Sequence, residues 1–198
     1  GKYEQAKIYL DQYLSAVPSD VSAGKLRASC DSITTWKADS ILYTIHSSNL
    51  NSGQSNFSPV WYKDGIVFTT DRNSKAKTYK WTGRPFLELY YAKGSPDKGY
   101  SSPISLSGEV NGIYHDGPAT FTPKGDTIYF TRNNYIKKKV IESSLDEVNI
   151  KIYEAVKKDT SWVNLKEFAY NSNDYSTGHP TLNSTGNTMY FVSDMPGG

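Results

Sequence analysis

The 198-residue sequence predicts an all-β chain of short antiparallel strands behind a brief helical segment. Three observations carry this reading. Asn51, Asn111 and Asn171 stand sixty residues apart, and each is followed within ten residues by a proline: Pro59, Pro118 and Pro180. A small-residue turn then leads each time to an aromatic-tipped strand, Asp64-Gly65-Ile66-Val67-Phe68, Lys124-Gly125-Asp126-Thr127-Ile128-Tyr129-Phe130 and Thr185-Gly186-Asn187-Thr188-Met189-Tyr190-Phe191. Composition agrees, because 16 Tyr and abundant Thr and Ser suit strands better than helices.

Residues 3–17 read as an amphipathic helix, with Tyr3, Ala6, Leu10, Tyr13, Leu14 and Val17 on one stripe. Pro18 ends it, and Ser19 or Asp20 caps a second helix running to about Cys30. The order Ala6, Leu10, Tyr13, Pro18 fits the second helix of a tetratricopeptide repeat, although Tyr13 stands where that motif prefers a small residue. An ordinary two-helix cap is the other reading. Residues 1–33 are therefore assigned to the end of a helical segment and 34–198 to the β domain.

From Trp36 the pattern changes to strands, beginning with Ile41-Leu42-Tyr43-Thr44-Ile45. The second repeat supplies four: Ala119-Thr120-Phe121, Thr127–Thr131, Asn149–Ala155 and Val163–Tyr170. The first repeats the third of these as Leu87–Ala92. Four antiparallel strands recurring about an axis make a propeller blade. The period of about 61 residues exceeds the roughly 40–50 of common propeller repeats, and the excess lies in the connections 71–86 and 132–148 and the Asn-led crossings. The expected fold is thus a partial β-propeller of about three four-stranded blades. Closed propellers need 4–8 blades, so the chain is expected to be a piece of a longer protein, or else an open array whose edges pair with a neighbour. The strand at 41–45 is expected to be the outer edge of the final blade.

Phe57-Ser58-Pro59, Phe121-Thr122-Pro123-Lys124-Gly125 and Tyr190-Phe191-Val192-Ser193-Asp194 resemble the WD-like repeats of TolB-type periplasmic propellers. Tyr129-Phe130-Thr131-Arg132-Asn133-Asn134, Gly178-His179-Pro180 and Ser193-Asp194-Met195-Pro196-Gly197-Gly198 more specifically resemble Bacteroidetes envelope proteins of the OmpA family. Those proteins combine tetratricopeptide repeats, this propeller, a carboxypeptidase-regulatory-like domain and a C-terminal OmpA-like domain. Some are peptidoglycan-associated and serve type nine secretion and gliding. The resemblance implies a periplasmic protein at the outer membrane that docks envelope proteins, with peptidoglycan bound only through a C-terminal domain absent from this chain.

Net charge of +2, with both signs spread along the chain, favours neither nucleic acid nor an anionic membrane. No apolar run reaches the 18 residues of a membrane span, and a lone Cys30 makes no internal disulfide. Catalysis has no signature: there is no Gly-x-Ser-x-Gly elbow and no singled-out carboxylate pair. No cofactor or metal is expected, since His115 and His179, read at corresponding crossings beside Asp116 and near Asp174, lack ligand spacing. Candidate binding residues on the long-connection face are Asp71, Arg72, Arg132, Asn133, Asn134, His115, His179 and Asp194. Their plainer role is to bond nearby backbone and shape the loops. Lys137-Lys138-Lys139 is a short basic run on that face. The expected function is a non-enzymatic interaction scaffold; a propeller attached to a peptidase or glycosidase, and a glycan-binding module, are the alternatives.

Overall fold

The computed structural model describes residues 1–136 and 138–197, so that Lys137 of the basic run and the terminal Gly198 lie outside the described residues. It is mostly β with two helices, and it divides into two compact units, Gly1–Ser47 and Ser48–Gly198.

In the first unit, α1 (Tyr3–Ala16) packs on α2 (Val21–Ala38). Ala6, Leu10 and Leu14 form a half-buried stripe on α1, matched on α2 by Ala23, Arg27, Cys30 and Ile33. Asp20 caps α2 by accepting the Ala23 N–H at 2.9 Å. The Arg27 guanidinium bridges Asp11 and Asp31, and Lys7 reaches Asp31 at 2.7 Å.

Two expectations fail here. The second helix continues eight residues past Cys30 to Ala38, where the Lys37 ammonium lies 5.8 Å from the centre of the Tyr3 ring and so ties its last turn to the start of α1. Residues 41–45 do not form a strand: Asp39–Leu42 is a 3-10 turn, and Ile41 and Ile45 are almost fully exposed. A β-branched run becomes a strand only where a neighbouring strand meets its backbone groups, and no described strand does so here.

In the second unit, β1 (Asn56–Tyr62) and β2 (Gly65–Thr70) form a hairpin. The connection to the third strand carries a small hairpin, β3 (Thr78–Tyr79) and β4 (Arg84–Pro85). β5 (Glu88–Ser95) pairs with β2, and β6 (Gly99–Tyr100) and β7 (Ile104–Ser105) pair with β5. The chain then crosses as β8 (Ser107–Gly108) to a second sheet made of β9 (Asp116–Phe121), β10 (Thr127–Asn133), β13 (Ile150–Lys158) and β14 (Ser161–Glu167). The short pair β11 (Tyr135–Ile136) and β12 (Lys139–Val140) lies in the β10–β13 connection. Strand order is β9-β10-β13-β14-β8, antiparallel except for the last, parallel step. β15 (Thr177–Leu182) and β16 (Met189–Ser193) form a third, two-stranded sheet.

Pairing register aligns the three sheets residue by residue. Thr69 faces Leu89 across β2–β5, and Thr131 faces Ile152 across β10–β13. On the same alignment Phe68, Phe130 and Phe191 are equivalent, as are Ile66, Ile128 and Met189. The first strand of every sheet carries an irregularity in the same stretch, with left-handed backbone at Ser58 (φ 50°) and His179 (φ 54°) and, one register position earlier, at Gly117 (φ 100°). The turns of the second and third sheets also match: Gly125 N–H donates to Thr122 O at 2.8 Å and Gly186 N–H to Asn183 O at 3.0 Å.

Successive sheets join through these first strands, β9 packing on β1, β2 and β5, and β15 packing on β9, β10 and β13. A side chain at Gly117 would strike Thr69, and one at Gly178 would meet Ile150 and Thr131. The core between the first two sheets holds Tyr62, Val67 and Leu89 against Ile128, Phe130, Tyr153 and Trp162. Burying a side chain such as Phe130 contributes on the order of 2–3 kcal/mol.

Candidate functional site

Antiparallel order puts the start of each first strand, the end of each second strand and the start of each third strand at one end of the sheets. All the long connections and all the candidate binding residues gather there. The structure shows what their side chains hold.

Asp71, Asn133 and Asp194 lie at the ends of the second strands in equivalent register, and each accepts a backbone N–H from the residue just ahead of the first strand. The donors are Ser55 at 2.8 Å, His115 at 3.0 Å and Ser176 at 2.7 Å. One carboxyl or amide oxygen thus fixes the incoming crossing loop three times over. Asp71 is buried, and Arg84 grips it through Nε and, at 3.0 Å, through Nη2. That guanidinium holds the Asp71 carboxyl below the ordinary carboxylate range, against the opposing effect of burial.

Arg72 and Arg132 build one constellation from different sequence positions. The Arg132 guanidinium lies 5.0 Å from the Phe130 ring centre and 5.6 Å from that of Tyr153, donates to Asp116 Oδ1 at 2.5 Å and reaches the Glu109 carbonyl at 2.7 Å. In the first sheet Arg72, two register positions further along, sits 5.0 Å from Phe68 and 5.6 Å from Tyr90. It donates to Asn56 Oδ1 at 2.7 Å and reaches the Leu50 carbonyl at 3.5 Å. Asn56 and Asp116 are register equivalents, so a neutral acceptor in one sheet replaces a charged one in the other. Asp116 is fully buried; burial raises its carboxyl to about 6, opposed by Arg132 and by the Gly112 N–H at 2.5 Å.

Asn134 is also fully buried and donates to Asn173 Oδ1 at 3.0 Å, while Asn149 donates to the Asn173 carbonyl at 2.9 Å. These amides stitch the β10–β13 connection to the crossing that precedes β15. His115 Nδ1 accepts the Leu87 N–H at 3.1 Å, and its ring packs between Tyr79 and Phe86, with centroids 4.9 and 4.6 Å away. Burial lowers its pKa below the ordinary histidine value, and an acceptor role for Nδ1 likewise requires the neutral ring.

His179 does not correspond to His115 as the sequence suggested. It aligns with Pro118, inside its strand, whereas His115 aligns with Ser176. The His179 imidazole is exposed, and its backbone N–H donates to Thr131 Oγ1 at 2.8 Å. Pro118 has no N–H to give the equivalent Thr69, whose buried hydroxyl has no hydrogen-bond partner among the described residues.

The candidate residues therefore meet at one end but direct their polar atoms mainly into the loops. Arg84, Asn56 and Thr131, which complete these locks, escaped the sequence reading, for their partners lie 13 to 48 residues away in sequence. Among the exposed charged side chains of these connections stand two large apolar ones: Trp81, at the tip of the β3–β4 hairpin, is 86% exposed, and Leu145, in the β10–β13 connection, is 75% exposed. Among the described residues no group of three or more His, Cys, Asp or Glu is placed to hold a metal ion, and no helix is long and apolar enough to cross a membrane. No protein-family model, curated protein or solved structure matches this chain.

Proposed function

We propose that residues 48–198 are successive blades of a WD-like β-propeller and that the protein is a non-enzymatic protein–protein interaction scaffold of the bacterial cell envelope. The observation that carries this reading is the threefold lock of Asp71 on Ser55, Asn133 on His115 and Asp194 on Ser176. Each sheet holds its long connections in place from within, which leaves a preorganised end where side chains such as Trp81 and Leu145 face solvent. Preorganised loops lose little entropy on binding, and exposed aromatic anchors supply interface energy. No residue here is given a catalytic role.

The envelope setting, on the periplasmic side of the outer membrane, rests on the resemblance carried by Phe130-Thr131-Arg132-Asn133-Asn134 and Ser193-Asp194-Met195-Pro196-Gly197. So do the OmpA-family parentage and the link to type nine secretion and gliding. In this reading peptidoglycan is bound only through a domain outside the chain.

The test is capture from an envelope extract of the source bacterium, with wild type compared against a Trp81→Ala/Leu145→Ala double variant. Specific envelope proteins retained by wild type, and at least tenfold less by the variant, support the reading. Equal retention by both, no retained protein, or turnover of glycan or peptide substrates by the chain contradicts it.

A further inference from the structure

The connections of the first two sheets turn their carboxylates inward and their lysines outward. Residues 71–87 and 111–117 contain two carboxylates, Asp71 and Asp116. Both are buried, and Arg84 and Arg132 pair with them. Lys75, Lys77 and Lys80 are exposed, and none of them meets a carboxylate among the described residues. Three uncompensated ammonium groups thus stand within one short hairpin, on a chain whose net charge is only +2.

The β3–β4 hairpin holds them in a fixed frame. The Phe86 N–H donates to the Lys77 carbonyl at 3.0 Å, and the Gly83 N–H to the Tyr79 carbonyl at 2.9 Å, which closes the turn carrying Lys80 and Trp81. Tyr79 packs edge-on against His115 at 4.9 Å between centroids, and Phe86 against Tyr114 at 5.3 Å, so the hairpin leans on the crossing into the second sheet. The Lys77 ammonium lies 5.0 Å from the Tyr114 ring centre. Tyr114 also meets Tyr135 at 5.2 Å and donates to the Lys138 carbonyl at 3.5 Å, which brings the β11–β12 pair, with exposed Lys138 and Lys139, to the same side.

The β10–β13 connection leans on the next crossing in the same way, the Ser144 N–H donating to Asp174 Oδ1 at 3.0 Å. Each connection therefore already has the crossing of the following sheet seated against it, and Trp81 and Leu145 stay exposed all the same. Their surroundings differ in sign. Leu145 stands near the exposed Glu142, Asp146 and Glu147, whereas Trp81 stands among lysines. Complementary charge speeds encounter and like charge rejects wrong partners, so whatever covers Trp81 brings negative charge. The arginines of this end, Arg72, Arg84 and Arg132, spend their forked donors on internal partners. Phosphate is best gripped by such forks; point charges beside an exposed indole favour the carboxylates of a protein.

We propose that the β3–β4 hairpin docks an acidic, extended segment of a partner protein, with carboxylates over Lys75, Lys77 and Lys80 and an apolar side chain against Trp81. This deepens the scaffold reading and rests on it, since it names the kind of partner that the same end takes.

The experiment is fluorescence anisotropy of the whole chain with a labelled peptide, Glu-Asp-Leu-Glu-Asp-Phe-Glu-Asp, at about 20 mM salt, where screening is weak. Saturable binding is expected, and it should weaken at least tenfold at about 300 mM salt. Lys75→Glu/Lys77→Glu/Lys80→Glu should weaken it at least tenfold, and Trp81→Ala about fivefold. Lys98→Glu/Lys124→Glu/Lys158→Glu makes the same charge change on exposed lysines at the opposite end and should leave binding unchanged. Equal weakening by both triple variants, equal binding of the peptide with Gln and Asn for Glu and Asp, or no saturable binding by about 1 mM peptide would overturn the proposal. So would tighter binding of inorganic polyphosphate that ignores Trp81→Ala, which marks a polyanion site. Dimerisation of wild type that the hairpin triple variant abolishes would also overturn it, by making a second copy the occupant. Failure of the peptide while envelope capture still depends on Trp81 and Leu145 removes only the acidic-segment inference. Failure of capture while the peptide binds as described removes only the envelope setting.

Discussion

Asn111 satisfies both backbone groups of Leu89. Its Oδ1 accepts the Leu89 N–H at 2.7 Å and its Nδ2 donates to the Leu89 carbonyl at 2.9 Å, so one side-chain amide replaces a residue of a neighbouring strand. Asn171 does the same for Ile152, at 3.0 and 2.7 Å. Only a primary amide offers a donor and an acceptor in this geometry.

Asn111→Asp is expected to destabilise the chain by about 2 kcal/mol, because a carboxylate oxygen would then face the Leu89 and Leu106 carbonyls to which Nδ2 now donates. Asn171→Asp should cost a similar amount. Urea midpoints measure this, and Leu89 and Ile152 amides that stay protected, because their Oδ1 acceptor is retained, identify the lost donor as the cause.

Thr69 and Thr131 should respond oppositely to valine. Thr131→Val removes the acceptor for the His179 N–H and should cost about 1 kcal/mol. Thr69→Val removes a buried hydroxyl opposite Pro118, a residue with no N–H, and should be neutral or stabilising. Thermal unfolding of the two variants beside wild type decides the matter.

At Asp116 the first sheet supplies its own control, since Asn56 already meets a guanidinium there. Asp116→Asn should cost no more than about 1 kcal/mol, whereas Asp116→Leu should cost about 3–5 kcal/mol by leaving Arg132 buried and unpaired. The folded carboxyl, at about 6, lies above its unfolded value, so the folded state binds the extra proton between about pH 4 and pH 6. This group's contribution to stability therefore falls as pH rises through that window and is flat above it. Asp116→Asn should remove that slope from a plot of urea midpoint against pH.

His115 runs the other way. Its folded pKa is depressed below the ordinary histidine value, so its contribution is complete above about pH 6.5 and is lost as pH falls through the folded pKa. Imidazole nitrogen shifts should show a neutral ring protonated on Nε2 at pH 6.5, with Nδ1 accepting from Leu87.

The strands were legible where one local pattern was repeated: the glycine turns and the Ile-x-Phe or Met-x-Phe tips lie within a few residues of each other and mark β2, β10 and β16 directly. The sixty-residue spacing of Asn51, Asn111 and Asn171 pointed to a shared loop geometry. Spacing alone could not reveal that Asn111 and Asn171 clamp a strand 22 and 19 residues upstream. The exchange of Arg72 for Arg132 was hidden for a related reason, since long side chains reach one guanidinium position from two different Cα positions. Residues 41–45 misled because a β-branched and aromatic run reads as a strand whether or not a partner backbone is present. The candidate binding residues gather at one end of the sheets, but charge and amide chemistry do not tell a surface contact from an internal loop lock.

The central claim is that one sheet unit recurs and joins its predecessor through a glycine set against the equivalent threonine, Gly117 on Thr69 and Gly178 on Thr131. Nuclear Overhauser contacts of the Gly117 and Gly178 α-protons test it most directly. The account predicts that Gly117 reaches the methyls of Thr69 and Leu89, and that Gly178 reaches those of Thr131 and Ile150, both sets in one spectrum. Contacts for one glycine without the other, or Gly178 contacts outside β10 and β13, would contradict it.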